Sequence, residues 1–286
     1  MRSSRHRPSG ASVIQVGLVG CGAIGTALAR AIERDYSHAA QIVAMTDVNH
    51  ARALTLQRRL ATHPPIVPLA TLVRRSRLVI EAASGAIAAR VARSGLARDR
   101  DVLVMSSGGL LTDASWRRAA RRSRGRLHVP SGALGGLDAV KAMAVGAIRR
   151  VRLTTSKPPR ALASAPGLRL SARQLLRLRR PRTVFEGTPA QTVKAFPQNT
   201  NVAATLMLAV LSGRRPRRSI PVRVRVVADP ALRINRHEVE VEGDCGRMRC
   251  LIESRASAMN PKTSETAIRS AIATLHQLFQ PIRIGT

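Results

Sequence analysis

Residues 13–25, Val-Ile-Gln-Val-Gly-Leu-Val-Gly-Cys-Gly-Ala-Ile-Gly, decide the fold of the N-terminal half of this 286-residue chain. The first seven form a short, mainly apolar run that is followed by glycine, as expected for a buried parallel strand. Apolar residues then recur at helical spacing, at Ile24, Leu28 and Ile32. A strand, a glycine-rich turn and a helix in this order are typical of the first unit of a Rossmann fold.

The turn fits the pattern G-x-G-x-x-G and predicts a dinucleotide site. The first glycine permits a tight turn, the second lets backbone amides approach a pyrophosphate at the helix N-terminus, and the third lets the helix pack on the strand. The alternative is a glycine turn with only a structural role. The candidate cofactor-binding residues in the turn are Gly20, Gly22, Ala23, Ile24 and Gly25.

Asp47 lies just beyond the second predicted strand, residues 42–45, at the position of the acid that binds the adenosine ribose in such folds. A carboxylate repels a 2′-phosphate, so Asp47 favours NAD over NADP, although the positive field of this chain softens that preference. The predicted cofactor is therefore NAD or NADP.

The alternation of strands and helices continues to about residue 130. Helices are predicted at 51–60, 69–75 and 86–97, and strands at 78–80 and 102–105. This order implies a parallel, doubly wound sheet, and we expect a dinucleotide-binding domain over residues 12–130.

Glu81-Ala82-Ala83-Ser84 follows the strand at 78–80, at the carboxyl edge where ligands bind in such sheets. The small residues Ala83 and Ser84 leave room for a nicotinamide ribose. A plain strand-to-helix turn with Ser84 as the N-cap is the alternative.

The second half of the chain has a different pattern. Residues 151–155, 221–227 and 237–241 alternate with period two, which predicts an α+β domain over residues 131–259 with a mainly antiparallel sheet and helices on one side. We assign it to substrate binding and oligomerisation. The Arg face of 221–227 and the Glu face of 237–241 are candidate cross-strand neighbours.

Three further segments complete the predicted organisation. Residues 169–182 are rich in arginine and are expected to form a solvent-facing connection. A helix is predicted over 263–279, begun after Pro261, and the segment 260–286 is expected to pack back on the Rossmann domain. Residues 1–11 are expected to form a disordered basic tail.

Two places in the second half carry candidate functional residues. Residues 131–138 contain three glycines, which indicates close backbone approach to a ligand, a hinge, or a simple interdomain linker. His237 shares a buried strand face with Val239 and Val241, so it is either a hydrogen-bonded core histidine or a catalytic group at the mouth of a cleft.

The composition is that of a globular protein with an unusual charge. The chain is 44% apolar, and 48 Lys and Arg against 16 Asp and Glu give a net charge of +32. Such a field attracts polyanions, so a polyanion-binding protein with a vestigial fold is the alternative from another class. The arginines are scattered and aromatic residues make up only 2%, so we expect nucleic-acid binding only as a nonspecific charge effect.

Cysteine usage and hydropathy bear on the compartment. Cys21, Cys245 and Cys250 are expected to be buried, inert thiols in a reducing compartment, and their spacing predicts no metal site. No apolar run approaches the length of a membrane span or a signal-peptide core. A cytoplasmic protein is expected.

From end to end, apart from the basic tail, the chain resembles the L-aspartate dehydrogenase family. The resemblance is carried by motifs that occur in the family's order: Gly20–Gly25, Glu81–Ser84, Pro130–Asp138, Lys157–Pro159, Phe185–Gly187, Phe196–Ala204, Ala228–Pro230, Asn235–Glu238 and Asn260–Ser264.

The resemblance implies NAD(P)-dependent oxidation of L-aspartate to iminoaspartate, which hydrolyses to oxaloacetate and ammonia or feeds NAD biosynthesis. It implies that His237 is the catalytic residue and that Ala133 and Asn201 contact the cofactor. Lys157 and Asn199 are the expected substrate-binding residues, and a homodimer is expected. A dehydrogenase of the same fold acting on another small acid is the alternative among enzymes.

The chain departs from the family's pattern in two places. Ser107-Gly108-Gly109 carries an added glycine, which we expect to loosen a loop near the nicotinamide pocket. An Arg-rich insertion at 213–218 leaves room for an additional anionic partner.

Overall fold

The structure, a computed structural model, describes residues 13–163, 165–168, 170–196, 201–212, 220–257 and 260–285. The predictions made for the basic tail (residues 1–11), Asn199 and the insertion at 213–218 lie outside the described residues.

The N-terminal half forms a parallel sheet, as predicted. Its strands are β1 (Ile14–Val19), β2 (Ala40–Thr46), β3 (Leu78–Glu81), β4 (Asp101–Val104) and β5 (Leu127–His128). They lie in the order β2-β1-β3-β4-β5, and every neighbouring pair is parallel. The helices between them are α1 (Ala23–Asp35), α2 (His50–Gln57), α3 (Leu69–Arg75), α4 (Gly85–Leu96), α5 (Gly108–Thr112) and α6 (Trp116–Arg122).

Both faces of this sheet are buried, which explains the apolar runs in its strands. On β3, Leu78 and Ile80 belong to one hydrophobic cluster and Val79 to another on the opposite face. Strand residues alternate between faces, so a strand with helices on both sides is apolar along most of its length, and on β3 only its last residue, Glu81, is polar. The sheet is therefore doubly wound, as the sequence predicts.

The second half forms a mixed sheet. Its strands are β6 (Ile148–Lys157), β7 (Arg182–Gly187), β8 (Val222–Ala228), β9 (Asn235–Gly243) and β10 (Gly246–Ser254), in the order β10-β9-β6-β8-β7. The pair β6–β8 is parallel and the others are antiparallel. This confirms a mainly antiparallel sheet.

Helices pack on one face of this second sheet. They are α7 (Leu137–Val145), α8 (Pro159–Leu162), α9 (Ala172–Leu176), α10 (Pro189–Ala195) and α11 (Asn201–Leu211). The inward side chains Val151, Leu153 and Val239 join residues of α7 and α11 in one core cluster. The opposite face carries the charged residues of the alternating strands.

The predicted pairing of the Arg face of β8 with the Glu face of β9 is wrong, because β6 lies between these strands. Glu240 of β9 instead pairs with Arg152 of β6, at 3.7 Å, and Glu242 with Arg150, at 2.7 Å. Arg225 of β8 lies 3.6 Å from Glu186 of β7. Strand order depends on the long connections, and the local alternation of residues does not encode it.

Two segments also differ from the prediction. The stretch 169–182 contains α9, which begins with a Ser171–Gln174 capping box and buries Leu175, so it is not wholly a solvent-facing connection. The final helix, α12 (Glu265–Phe279), begins two residues later than predicted and ends where predicted, because β11 (Ala256–Ser257) and β12 (Asn260–Ser264) form a small antiparallel sheet before it.

The last helix packs back on the first domain. Ala271 and Leu275 are fully buried in the cluster that holds Leu28 and Ile32 of α1. The Tyr36 hydroxyl lies 3.3 Å from Nδ1 of His276. The helix therefore joins the two halves of the chain.

The added glycine at 108–109 does not loosen a loop, contrary to the prediction. Gly108 and Gly109 are buried in α5, and a Cβ atom on Gly109 would overlap the carbonyl oxygen of Gly85 at the start of α4. The glycine thus permits close contact between two helices.

Among the helices that the structure describes, none is long and apolar enough to cross a membrane.

Candidate active site

The glycine turn between β1 and α1 has the geometry that a pyrophosphate site needs. Gly20 has φ +96°, and a Cβ atom there would lie 2.6 Å from the carbonyl oxygen of Ala82. A Cβ atom on Gly25 would overlap the carbonyl oxygen of Gly20, so the helix contacts the turn directly. Gly22 has open space around it, and no side chain caps the amides at the start of α1. These free amides fit a dinucleotide phosphate.

Asp47 lies beside this turn, after β2. One of its carboxylate oxygens accepts a hydrogen bond from the Cys21 amide at 2.7 Å, and the other accepts one from the Asn49 amide at 2.8 Å. The half-buried carboxylate is therefore held against the turn, next to the open space at Gly22.

Glu81 is a functional candidate that the sequence reasoning did not assign. It ends β3 and is fully buried, and its carboxylate accepts hydrogen bonds from the amides of Ala83 and Ser106 and from the Ser106 hydroxyl, each at 2.9 Å. Burial raises the pKa of this carboxyl group, and the hydrogen bonds oppose that shift. Glu81 thus joins the loops that follow β3 and β4.

A cavity of about 120 Å³ lies where the two sheets meet, next to the start of α1. It brings together five predicted site residues from distant parts of the chain: Ile24, Ala133, Lys157, Asn201 and His237. Further polar side chains also line it, at Ser131, Thr205, Asn235, Thr263 and Ser264. The cavity is small and has several polar groups, as expected for a site that takes a small polar substrate.

His237 lies on β9 and is 4% exposed. Its Nδ1 is 3.1 Å from the hydroxyl oxygen of Thr155, the residue directly opposite on β6. Burial lowers the pKa of His237 to about 3, and the nearby Lys157 charge adds to this effect. The imidazole is therefore neutral at physiological pH.

Lys157 lies two residues beyond Thr155, so both side chains share the inward face of β6. It is 6% exposed, and burial lowers its pKa to about 8. An ammonium group in this setting is still charged at neutral pH, and a carboxylate that entered the cavity would stabilise it.

Asn201 begins α11 and connects the two domains. Its side-chain oxygen accepts a hydrogen bond from the Gly108 amide at 3.1 Å, and its backbone carbonyl accepts one from the Ser107 hydroxyl at 3.0 Å. Ala133 belongs to the segment between β5 and α7, where the Gly132 amide donates to the hydroxyl of Ser270 at 3.0 Å. These contacts fix the walls of the cavity.

The other predicted residues lie nearby or outside the described part of the chain. Ala83 and Ser84 are exposed beside the glycine turn and do not line the cavity. Ser84 is the N-cap of α4 but makes no capping side-chain hydrogen bond. Asn199 lies outside the described residues.

Two further residues that reasoning from the sequence did not assign are Thr155 and Asn235. Both lie on the inward face of a strand and are buried. The alternation of β6 marked the inward face, but only the pairing of β6 with β9 shows that Thr155 meets His237.

The cysteines differ from the prediction in one respect. Cys21 is buried, and burial raises the pKa of its thiol to about 12, so it is inert. Cys245 is exposed and Cys250 is half-buried, because they lie near the turn and on the edge strand of the second sheet. The described residues contain no cluster of three or more His, Cys, Asp or Glu side chains that could hold a metal ion.

The glycine turn, the doubly wound sheet and the cavity beside them are those of a dinucleotide-binding protein with a second domain, and the family models place it among the oxidoreductases. Residues 20–130 match the family model described as homoserine dehydrogenase, NAD binding domain, and residues 138–278 match the one described as aspartate dehydrogenase, C-terminal.

The chain belongs to the L-aspartate dehydrogenase family. It is 38% identical to the L-aspartate dehydrogenase of Methanocella arvoryzae over 277 residues. The aligned region covers 96% of this chain and 100% of that protein. It is 36% identical to the Methanosarcina barkeri enzyme over the same shares of both chains. The crystal structure of aspartate dehydrogenase from Thermotoga maritima is similar in fold, with a TM-score of 0.67 and 24% identity over 96% of this chain and 100% of that one.

Proposed function

We propose that this protein catalyses the NAD(P)-dependent oxidative deamination of L-aspartate to iminoaspartate. The single observation that carries the proposal is the cavity in which His237 and Lys157 lie beside Ile24, which belongs to the glycine turn and is the second residue of α1. Membership of the L-aspartate dehydrogenase family supports the choice of substrate.

The cofactor fits the residues around the turn. The amides at the start of α1, with Gly20, Gly22, Ala23 and Gly25, would hold the pyrophosphate, and Ala133 and Asn201 would line the nicotinamide end. A bound nicotinamide would supply the acceptor for the hydride of the substrate α-carbon. The protein supplies orientation and proton transfer.

His237 is the proposed catalytic base. A neutral imidazole can accept a proton from the substrate ammonium group, which must lose it before the α-carbon gives up a hydride. Because burial and Lys157 keep His237 neutral, its lone pair is available across the physiological range.

Lys157 is the proposed partner of a substrate carboxylate. An ammonium group and a carboxylate form a strong charge-assisted hydrogen bond where water is excluded. Asn199 is proposed as a second substrate contact, on the resemblance alone. The two negative charges of aspartate would also raise the pKa of His237 in the complex, which makes it a better base than in the empty site.

Turnover assays with L-aspartate and NAD or NADP test the function, with other small acidic amino and hydroxy acids as the panel. We expect L-aspartate to give the highest kcat/KM. We expect His237→Ala to lose about 100-fold or more of its turnover while it still binds NADH, as is typical when a general base is removed. A variant that kept wild-type turnover would refute the assignment of His237.

The cofactor preference is tested by fluorescence titration with NADH and NADPH. We propose a preference for NADH, because the Asp47 carboxylate beside Gly22 repels a 2′-phosphate. Asp47→Asn keeps the size of the side chain and removes its charge, so it should narrow the difference between the two dissociation constants. Equal binding of both cofactors by the wild type would contradict the role given to Asp47.

A further inference from the structure

Thr155 is the polar neighbour of the His237 imidazole on the inner face of the second sheet. The two residues lie directly opposite each other in the antiparallel pair β6–β9. The Thr155 hydroxyl oxygen is 3.1 Å from Nδ1 of His237, and both residues are at least 95% buried. The contact is therefore shielded from water.

Among the described neighbours of Thr155, His237 is the hydrogen-bond partner of its hydroxyl group. Its other cross-strand neighbour is Val226 of β8, which is apolar and buried. Among the described residues, the Thr155 side chain makes its one hydrogen bond to His237. A buried hydroxyl keeps a hydrogen-bond partner in nearly all proteins, so this pairing is expected to be persistent.

We propose that Thr155 is a positioning residue that fixes the ring orientation and the tautomer of His237, with Nδ1–H donating to the Thr155 hydroxyl oxygen and Nε2 left as the base. This inference rests on the proposed function, since it concerns the proton that the substrate gives up. It gives a role to a residue that the proposed function does not use.

The proton transfer balances in this arrangement. An N–H bond of the substrate ammonium group breaks, the proton goes to Nε2, and the electron pair stays on the substrate nitrogen. Nδ1–H donates to Thr155 before and after the transfer, so the imidazolium that forms already has a partner on its far side. Without that partner, a charged N–H group would be left buried and unpaired, which is costly.

The charged groups that face the His237 imidazole explain why a hydroxyl group is suitable at position 155. Lys157 is on the same strand as Thr155, and Lys157 and His237 are the titratable residues among the described ones that line the cavity. From α11 and α12 the described lining residues are uncharged: Asn201, Val202, Thr205 and Ala267. A carboxylate next to Nδ1 would favour the imidazolium in the empty site, whereas a neutral hydroxyl orients the ring and leaves it neutral.

The test compares Thr155→Val, which removes the hydroxyl at nearly constant volume, with Thr155→Ser, which keeps it. We expect Thr155→Val to lower kcat about 10- to 100-fold, as for the loss of one hydrogen bond to a charged group. The KM for L-aspartate and the dissociation constant for NADH should stay within about threefold, and the acidic limb of the kcat–pH profile should move to lower pH. Thr155→Ser should recover most of the lost turnover.

A second readout does not depend on turnover. Nitrogen-15 spectra of histidine-labelled protein distinguish Nδ1–H from Nε2–H in a neutral ring, and His237→Asn identifies the signals of His237. We expect the Nδ1–H tautomer in the wild type and in Thr155→Ser, and a mixture of tautomers in Thr155→Val. In a His237→Asn background, Thr155→Val should have no further effect on kcat.

The outcomes separate this inference from the proposed function. Wild-type kcat and an unchanged pH profile in Thr155→Val, or Nε2–H as the wild-type tautomer, would overturn the role of Thr155. Equal losses in Thr155→Ser and Thr155→Val would also overturn it, because the hydroxyl would then not matter. A wild-type protein without turnover on L-aspartate would refute the proposed function, and the tautomer measurement would still decide on Thr155.

Discussion

The buried, neutral His237 should make the stability of the protein depend on pH in a way that one substitution removes. Its folded-state pKa is lowered from 6.5 to about 3, because burial and Lys157 disfavour the imidazolium. Below pH 6.5 the unfolded chain therefore binds a proton that the folded protein does not. The stability that His237 contributes is fully present above pH 6.5 and is lost as the pH falls towards 3.

The size of this effect follows from the two pKa values. Between pH 7.5 and pH 5.0 the unfolded state gains about 2 kcal/mol from protonating this one histidine, while the folded state gains almost nothing. The result is nearly the same for any folded-state pKa below about 4, because such a ring stays neutral at pH 5.0.

The assay is denaturant unfolding of the wild type and His237→Asn at pH 7.5 and pH 5.0, without cofactor. Asparagine keeps a hydrogen-bonding group near Thr155 and does not titrate. His128, whose pKa burial also lowers, is present in both proteins, so its contribution cancels in the comparison. We expect the wild type to lose about 2 kcal/mol more than the variant over this range. An equal loss in both proteins would refute the argument that His237 is held neutral.

Two predictions concern the cofactor loops. Gly25→Ala should prevent close contact of α1 with the turn, because its Cβ would overlap the Gly20 carbonyl oxygen, and it should lower both the midpoint of thermal unfolding and the affinity for NADH. Gly22→Ala has free space for its Cβ, so it should keep the wild-type midpoint of thermal unfolding while it weakens NADH binding. Equal midpoints for the two variants would contradict this reading of the turn. Glu81→Gln replaces one carboxylate oxygen by an NH2 group that cannot accept, so it should cost about 1–3 kcal/mol in denaturant unfolding and raise the dissociation constant for NADH. An unchanged stability would show that the two loops are held in another way.

Much of the first domain could be predicted because its information is local. The apolar runs of β1 and β3, the turn at Gly20–Gly25 and the position of Asp47 are each encoded within a few neighbouring residues. A strand buried on both faces is apolar along most of its length, and a turn that accommodates a phosphate and packs against a helix needs glycine, so the pattern has few alternative explanations.

Only part of the candidate site could be predicted from the sequence. His237 could be placed on an inward strand face, but its pattern left a core histidine and a catalytic residue both open, and the resemblance to the family supplied its role. No local sequence pattern indicates a functional role for Thr155 or Glu81. A threonine on an alternating strand and a glutamate at the end of an apolar strand are both common in proteins.

The sequence alone thus determined the Rossmann unit, the alternating strands and the inward face of His237, since these follow from short-range periodicity and glycine geometry. Only the tertiary structure decided the order β10-β9-β6-β8-β7, which places β6 beside β9 and so Thr155 against His237. It also decided that α11 and α12 close the cavity against the turn. Contacts between residues about 80 positions apart depend on how the whole chain packs, and no local pattern of residues specifies that packing.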